Sequence, residues 1–94
     1  MVNVKIIFPS IFTKVTRGEK EVQISALTFD EVLVKLVDRY GDDFKDRIFE
    51  EETGELRYLL AFYLNGRNIR FIDSPNTELK NGDIISILPI ASGG

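Results

Sequence analysis

The chain has 94 residues, of which 44% are hydrophobic and 29% are charged, and its formal net charge is −3. This length fits one compact domain, and the slightly acidic balance argues against a general nucleic-acid-binding protein. No apolar run approaches the roughly 20 residues that cross a bilayer, and the N-terminus lacks the pattern of a secretion signal. We therefore expect a soluble, cytoplasmic protein that binds neither a membrane nor nucleic acid.

Two residue types with frequent chemical roles are absent, because the chain contains no cysteine and no histidine. A thiolate nucleophile, a disulfide, the usual near-neutral proton shuttle and the commonest soft-metal ligands are therefore missing. These absences argue against a self-sufficient hydrolase or metalloenzyme, although chemistry on carboxylates stays open. We expect a protein that is not itself an enzyme, with no metal site and no bound cofactor.

The N-terminal residues predict a β-hairpin. Apolar and polar residues alternate in "VNVKIIF", and the apolar side is formed by Val2, Val4, Ile6 and Phe8. Ile7 interrupts the alternation and is interpreted as an exposed apolar position. Pro9 has no N–H to donate and is expected to end this strand. Residues 11–20 then read as a connecting loop with Gly18 at its turn, and "EVQIS" alternates again as the second strand.

The clearest predicted element is a helix in "LTFDEVLVKLVDRYG". Its apolar residues recur at helical spacing and form one stripe: Phe29, Val32, Leu33, Leu36, Val37 and Tyr40. Thr28 and Glu31 have the spacing of a capping box, in which each side chain accepts a hydrogen bond from an otherwise unpaired backbone N–H. Gly41 is expected to end the helix.

The second half predicts a short helix followed by three strands. Asp42 or Asp43 would cap the short helix, with Phe44 and Ile48 on one face. The run "LRYLLAFYL" then predicts a central strand, and the turn Asn65–Gly66 leads into a short returning strand, "NIRF". In the loop that follows, Leu79 is expected to anchor into the core, and Asn81–Gly82–Asp83 is expected to turn the chain. The last strand is "IISIL", which Pro89 closes.

This order of elements predicts an α+β fold. Two hairpins flank one main helix, which must cover one face of a mixed sheet of four to five strands, as in the ubiquitin-like roll. We expect residues 1–88 to form the globular domain and residues 89–94 to form a flexible C-terminal tail that ends in Gly93–Gly94.

Residues 53–94, from "TGELRY" to "ILPIASGG", resemble the ubiquitin-like sulfur carriers. That family includes the small subunit of molybdopterin synthase, the thiamin sulfur carrier and the cysteine-biosynthesis sulfur carrier, and it is similar to the archaeal small modifier proteins. The N-terminal "FPSIFTKVTRGEKEV" is most similar to the cysteine-biosynthesis carrier. The resemblance implies a β-grasp fold.

The resemblance also implies a function that resides in the C-terminal carboxylate of Gly94. In the family, an adenylating, E1-like enzyme uses ATP to convert this carboxylate to an acyl-adenylate. A sulfur donor then replaces the adenylate, and the thiocarboxylate passes sulfur to a downstream synthase for cysteine, molybdopterin, thiamin or thiolated tRNA. The alternative is a protein modifier, in which Gly94 is joined to lysines of target proteins.

The resemblance further implies which residues contact these partners. The tail that binds the partner would consist of Pro89, Ile90, Ala91, Ser92 and Gly93. Many family members have a second proline where this chain has Ile90, and this departure leaves the exact partner of the tail open. We also expect an apolar docking patch on the open face of the sheet, with Ile7 and Leu88 as its candidates and acidic residues around it.

Overall fold

A computed structural model describes residues 2–57, 60–69 and 77–90. The strands are β1 (Val2–Ile7), β2 (Glu21–Ala26), β3 (Leu60–Leu64), β4 (Arg67–Ile69) and β5 (Ile84–Pro89), and the α-helices are α1 (Phe29–Tyr40) and α2 (Asp42–Ile48). The strands form one sheet in the order β2-β1-β5-β3-β4. The pairing of β1 with β5 is parallel and the other pairings are antiparallel. The predicted mixed sheet packed on one main helix is confirmed.

Helix α1 begins and ends at the predicted residues. Thr28 is its N-cap, and the Thr28 hydroxyl oxygen accepts a hydrogen bond of 3.3 Å from the Glu31 N–H. The Glu31 carboxylate accepts in return from the N–H of Leu27, at 3.3 Å. At the other end Gly41 has a φ of 92°, and its N–H donates to the Val37 carbonyl at 2.8 Å. Local hydrogen bonds therefore set both ends of the helix.

The core lies between α1 and one face of the sheet. Helix α1 contributes Phe29, Val32, Leu33, Leu36 and Tyr40, all of which are buried. The ring of Phe29 meets that of Phe62 from β3 edge to face, with 5.5 Å between centroids. Burying an apolar side chain of this size stabilises the fold by about 1.5–3 kcal/mol. The stripe of α1 thus holds the helix across the sheet and leaves the opposite sheet face open.

Helix α2 packs as predicted, but its cap differs. Phe44 and Ile48 are fully buried on one face of α2. The N-cap is Gly41, without a side-chain cap, so the prediction that Asp42 or Asp43 caps the helix is wrong. The reason is that α2 follows α1 directly: the Lys45 N–H already donates to the Gly41 carbonyl at 3.1 Å. Both aspartates therefore lie in the first turn, where the helix dipole favours negative charge.

The loop between β1 and β2 is a folded segment. A 3-10 turn, Ser10–Phe12, follows β1 and buries Phe12. The Phe12 ring packs against Phe44 at 5.8 Å between centroids, and Phe8 contacts both rings, at 6.4 Å from Phe12 and 5.8 Å from Phe44. This aromatic cluster joins the end of β1 to α2.

The turn of the second hairpin agrees with the prediction, and β3 begins at Leu60, inside the predicted run of residues 56–64. Asn65 and Gly66 have φ values of 52° and 86°, which a tight β3–β4 turn of this kind requires. The observed part of the returning strand is Arg67–Ile69, and residues 70–76 lie outside the described residues. Leu79 is 3% exposed, so its predicted anchoring role is confirmed.

No helix in the described part of the chain is both long enough and apolar enough to cross a membrane.

Candidate functional site

The predicted tail begins where β5 ends. Pro89 is the last residue of β5 and pairs with Leu60 of β3, so the strand includes the first residue assigned to the tail. Ile90 follows it and is 46% exposed. Ala91, Ser92, Gly93 and Gly94 lie outside the described residues. The division between domain and tail, and the roles of these residues, therefore stay predictions.

The two predicted docking residues share the open face of the sheet. Their neighbours Ile6 and Ile87 are buried in the core, and side chains alternate along a strand, so Ile7 and Leu88 face away from α1. Ile7 is 37% exposed and Leu88 45% exposed. Ile7 pairs with Ser86, which is two residues before Leu88 on the same face. The structure thus places the two residues diagonally across β1 and β5, while partner binding there stays a prediction.

Ile84 extends this apolar surface and was not among the predicted residues. It lies on the same face of β5 as Ser86 and Leu88 and is 38% exposed. The alternation of Ile84, Ser86 and Leu88 against the buried Ile85 and Ile87 could have identified it from the sequence. We refer to Ile7, Ile84 and Leu88 together as the sheet patch.

The charge beside the sheet patch is mixed. Glu21 is opposite Ile7 in the β1–β2 register, and its carboxylate forms an ion pair of 3.5 Å with the ammonium group of Lys5. Both side chains are about half exposed. On this side of the patch the acidic residue Glu21 is paired with a base, and the expected ring of acidic residues stays a prediction. Exposed pairs of this type contribute about 0–1 kcal/mol to stability.

A side-chain contact fixes the start of β5. The Asn65 amide nitrogen donates to the Asp83 carboxylate at 2.9 Å, and the Asn65 amide oxygen accepts from the Ile84 N–H at 2.9 Å. The second Asp83 oxygen accepts from the Lys80 N–H at 2.8 Å. Sequence interpretation treated Asn65 and Asp83 as turn residues and missed their contact. This contact joins the β3–β4 turn to the strand that carries the sheet patch.

The β1–β2 loop is fixed to helix α1 by a second polar contact. Glu19, near the end of the loop, accepts a hydrogen bond of 2.9 Å from the Tyr40 hydroxyl and lies 3.4 Å from the guanidinium of Arg39. Within the loop, the buried Thr16 hydroxyl lies 2.8 Å from the Glu19 carbonyl. The loop therefore has a defined position against the helix.

This contact shifts the pKa values of Glu19 and Tyr40. The hydrogen bond from Tyr40 lowers the pKa of Glu19, an effect that partial desolvation opposes and Arg39 reinforces. Burial raises the pKa of Tyr40, and the hydrogen bond to Glu19 raises it further. At neutral pH the arrangement is thus an ionised carboxylate held by a protonated phenol.

In the described residues no three or more acidic side chains are grouped so that they could hold a metal ion. The absence of a metal centre from the protein as a whole stays a prediction.

Comparison with known families decides the relationship of this chain. Residues 6–94 match the ThiS family. The chain belongs to the ThiS family. The match extends from β1 through the terminal Gly93–Gly94 pair, so it includes the sheet patch and the predicted tail.

Several known proteins are similar to this chain in sequence or in fold. The sulfur carrier protein CysO of Mycobacterium tuberculosis is 29% identical over 92 residues, which are 98% of this chain and 99% of CysO. A chain in the crystal structure of the Amycolatopsis orientalis BexX/CysO complex is 32% identical, with a TM-score of 0.79, over 97% of this chain and 99% of that one. The small archaeal modifier protein SAMP1 of Methanosarcina acetivorans is also 32% identical, with a TM-score of 0.82, over 100% and 98%.

These comparisons confirm the resemblance and the β-grasp fold that the sequence predicted. The ThiS family, a named sulfur carrier and a small archaeal modifier are all similar to the chain over nearly its whole length.

The pKa of Glu19 tests the contact between the loop and α1. We expect Tyr40→Phe to raise the pKa of Glu19 toward its ordinary value, because the hydroxyl that donates to the carboxylate is removed. Side-chain carboxyl carbon shifts followed by NMR over a pH titration measure this change. Tyr63→Phe on β3 is the matched control and should leave the Glu19 midpoint unchanged.

The lowered pKa of Glu19 in the folded state determines how the stability of the protein changes with pH. The Glu19 contact contributes stability above the pKa of the unfolded chain, and that contribution is lost as the pH falls through the folded-state pKa. Acidification should therefore destabilise the wild type more steeply than Tyr40→Phe. An unchanged Glu19 midpoint in Tyr40→Phe would contradict the contact.

Proposed function

We propose that this protein is a sulfur carrier whose Gly94 carboxylate is adenylated by an ATP-dependent, E1-like enzyme and converted to a thiocarboxylate. The observation that carries this proposal is the match to the ThiS family over residues 6–94, through the terminal glycine pair. The similarity to CysO over 98% of the chain supports it. The proposed place of action is the cytoplasm.

The proposed reaction has two group-transfer steps. The Gly94 carboxylate attacks the α-phosphate of ATP, and pyrophosphate leaves, which gives the acyl-adenylate. A hydrosulfide then attacks the acyl carbon and AMP leaves, so that sulfur replaces one carboxylate oxygen. Neither step changes the oxidation state of the chain. The thiocarboxylate sulfur is nucleophilic and is transferred to the substrate of a downstream synthase.

The glycine pair suits this chemistry. The carboxylate must enter the nucleotide site of the activating enzyme, and glycine, which lacks Cβ, allows close approach by surrounding atoms. Residues 89–94 would span roughly 20 Å if extended, at about 3.3 Å per residue. Alanine would reach as far, so the small size of Gly93 and Gly94 is the property that a narrow channel selects.

The residue types of the chain agree with a co-substrate. A carrier without cysteine must hold its sulfur on a main-chain acyl group, and the C-terminal carboxylate is the group that can be activated. Without cysteine or histidine, the chain also lacks the commonest activated nucleophile and its usual base. We propose that the partner enzymes supply the catalytic groups and the ATP site, with no cofactor bound by the carrier.

The sheet patch is the proposed docking surface for the activating enzyme. Ordering the tail on binding opposes association by about 1–2 kcal/mol for each residue. Ile7, Ile84 and Leu88 are 37–45% exposed, and burying their remaining apolar area against a partner offsets part of this cost. The patch lies on β1 and β5, the strand that leads into the tail, so one partner can contact both.

Loading of sulfur is the direct test. We expect incubation with ATP, the adenylating enzyme of the source organism and hydrosulfide to raise the intact mass by the difference between sulfur and oxygen. Tandem mass spectrometry should place the change on Gly94. The matched control lacks Gly94 and should remain unmodified. An unchanged wild-type mass with every candidate activating enzyme of that organism would contradict the proposal.

Substitution on the sheet patch tests the docking surface. We expect Leu88→Arg to raise the KM for the carrier in the adenylation reaction by about 30-fold, the size of a central interface residue. The kcat should change little, because the reacting carboxylate is untouched. Val34→Arg on the exposed face of α1 is the control, since Val34 is 61% exposed and remote in the fold from β5. Equal KM values for the two variants would exclude the patch.

The alternative function is a protein modifier, and the similarity to SAMP1 favours testing it. The acyl-adenylate is the same, but a lysine amine replaces the sulfur nucleophile and an amide forms as AMP leaves. Proteolytic digests of cellular protein should then contain lysines that carry C-terminal residues of this chain. Their absence, together with a thiocarboxylate on Gly94, would leave the carrier function alone.

The recipient of the sulfur follows from the downstream partner. Cysteine, molybdopterin, thiamin and thiolated tRNA are the proposed recipients. The likeness to CysO makes a cysteine-forming synthase the first partner to assay.

A further inference from the structure

Two prolines lie where the pairing of β1 with β5 stops. The parallel register runs from Lys5 opposite Ile84 to Ile7 opposite Ser86 and ends there. Strand β5 continues for three more residues in its pairing with β3, as far as Pro89. The residue that continues β1 two positions beyond Ile7 is Pro9. The ends of the two ladders of β5 therefore differ.

The hydrogen-bond alternation explains where the β1 ladder ends. The Lys5 N–H donates to the Asp83 carbonyl at 2.9 Å, which fixes the phase of the ladder. In a parallel ladder every second residue of each strand faces the partner strand. The backbone nitrogens that face the gap are therefore those of Lys5, Ile7 and Pro9 on one side and Ile85, Ile87 and Pro89 on the other.

The next two rungs beyond the observed pairing would both need an N–H that does not exist. One would run from residue 9 to the Ile87 carbonyl, and the other from residue 89 to the Pro9 carbonyl. Proline supplies no backbone N–H at either position. The Pro9 carbonyl instead accepts from the Phe12 N–H at 2.9 Å, in the 3-10 turn. Both strands thus stop the ladder independently.

Pro89 does not interrupt the ladder on the β3 side. The Asn65 N–H donates to the Ile84 carbonyl at 2.8 Å, which sets the phase of the antiparallel β3–β5 pairing. Alternate pairs then exchange no hydrogen bonds, and the pair of Leu60 and Pro89 is one of these. A proline at position 88 would remove a β3 hydrogen bond, whereas at 89 it blocks only the β1 side.

We propose that Pro9 and Pro89 are paired positioning residues that end the β1–β5 ladder and so set the point beyond which the C-terminal segment is available to the activating enzyme. This inference rests on the proposed function for its purpose. With an N–H at both positions, β5 would pair two rungs further along β1. Residue 89, the first of the segment 89–94 that is proposed to reach the nucleotide site, would then have to be detached from β1 before the activating enzyme could bind the segment.

The first test measures the ladder itself. In the double variant Pro9→Ala/Pro89→Ala, we expect the amides of residues 9 and 89 to exchange with solvent at least about tenfold more slowly than in an unstructured peptide. Hydrogen exchange followed by two-dimensional NMR reports each amide separately. Exchange of both amides at the unstructured rate would overturn the proposal. The two single variants serve as substitutes if the double variant does not fold.

The second test measures the consequence for activation. In ATP-dependent adenylation by the organism's activating enzyme, we expect the double variant to raise the KM for the carrier by about tenfold at unchanged kcat. Only molecules with a detached segment are competent to bind. The apparent dissociation constant is therefore the intrinsic one divided by the fraction of such molecules. Added protection with an unchanged KM would overturn the positioning role.

A chemical control separates the missing N–H from the shape of the ring. In the Pro9→Ala background, position 89 is filled with N-methylalanine, which has neither the ring nor an N–H. The KM for the carrier with N-methylalanine at position 89 should be lower than that for the double variant and equal to that for Pro9→Ala. A KM equal to that of the double variant would overturn the hydrogen-bond explanation.

The N-methylalanine variant can be made by chemical ligation without leaving a non-native residue at the junction. Residues 61–94 can be synthesised with cysteine at position 61, ligated to a thioester of residues 1–60 and desulfurised to the native Ala61, because the chain has no other cysteine. If no form of the carrier is adenylated, including the wild type, the proposed function fails. The exchange measurement still decides the ladder in that case.

Discussion

The parallel pairing of β1 with β5 is the constraint on which the rest of the structure depends. It places the last strand of the chain in the middle of the sheet, between β1 and β3, with Ile85 and Ile87 buried against the core. A chain end is usually the least ordered part of a domain unless it is tied into a sheet. Here the strand that precedes the proposed reactive terminus has neighbours on both sides. The body can therefore present the proposed reactive group from a fixed position.

Sequence reasoning succeeded where the signal was local. The stripe of α1, the cap at Thr28, the Gly41 stop and the Asn65–Gly66 turn each depend on residues a few positions apart. It failed where distant segments decide the outcome. Asn65 and Asp83 were read as separate turn residues, because only the sheet register brings their side chains together. Ile84 was overlooked although the alternation along β5 places it on the same face as Leu88.

The β1–β2 loop shows a related limit. Its composition indicates a connection, yet Phe12 and Thr16 are fully buried in it. Phe12 gains its partners from Phe8 and Phe44, and the loop end gains Tyr40 through Glu19. The residues that make these contacts do not recur at a regular spacing in the sequence, so no sequence pattern predicted the contacts. They matter for the site, because the turn that buries Phe12 also uses the Pro9 carbonyl and draws the chain away from β5.

The division of labour between body and terminus also accounts for the similarity to both carriers and modifiers. An acyl-adenylate is the same electrophile whether a hydrosulfide or a lysine amine attacks it, so the reactive group cannot by itself determine the product. The choice depends on which nucleophile a partner brings to the acyl carbon, and therefore on which partner the body binds. The surface that we propose makes that choice is the open sheet face beside β5, where Ile7, Ile84 and Leu88 lie beside the paired charges of Lys5 and Glu21. On this proposal, relatives that share the fold can differ in function through a few side chains on β1 and β5.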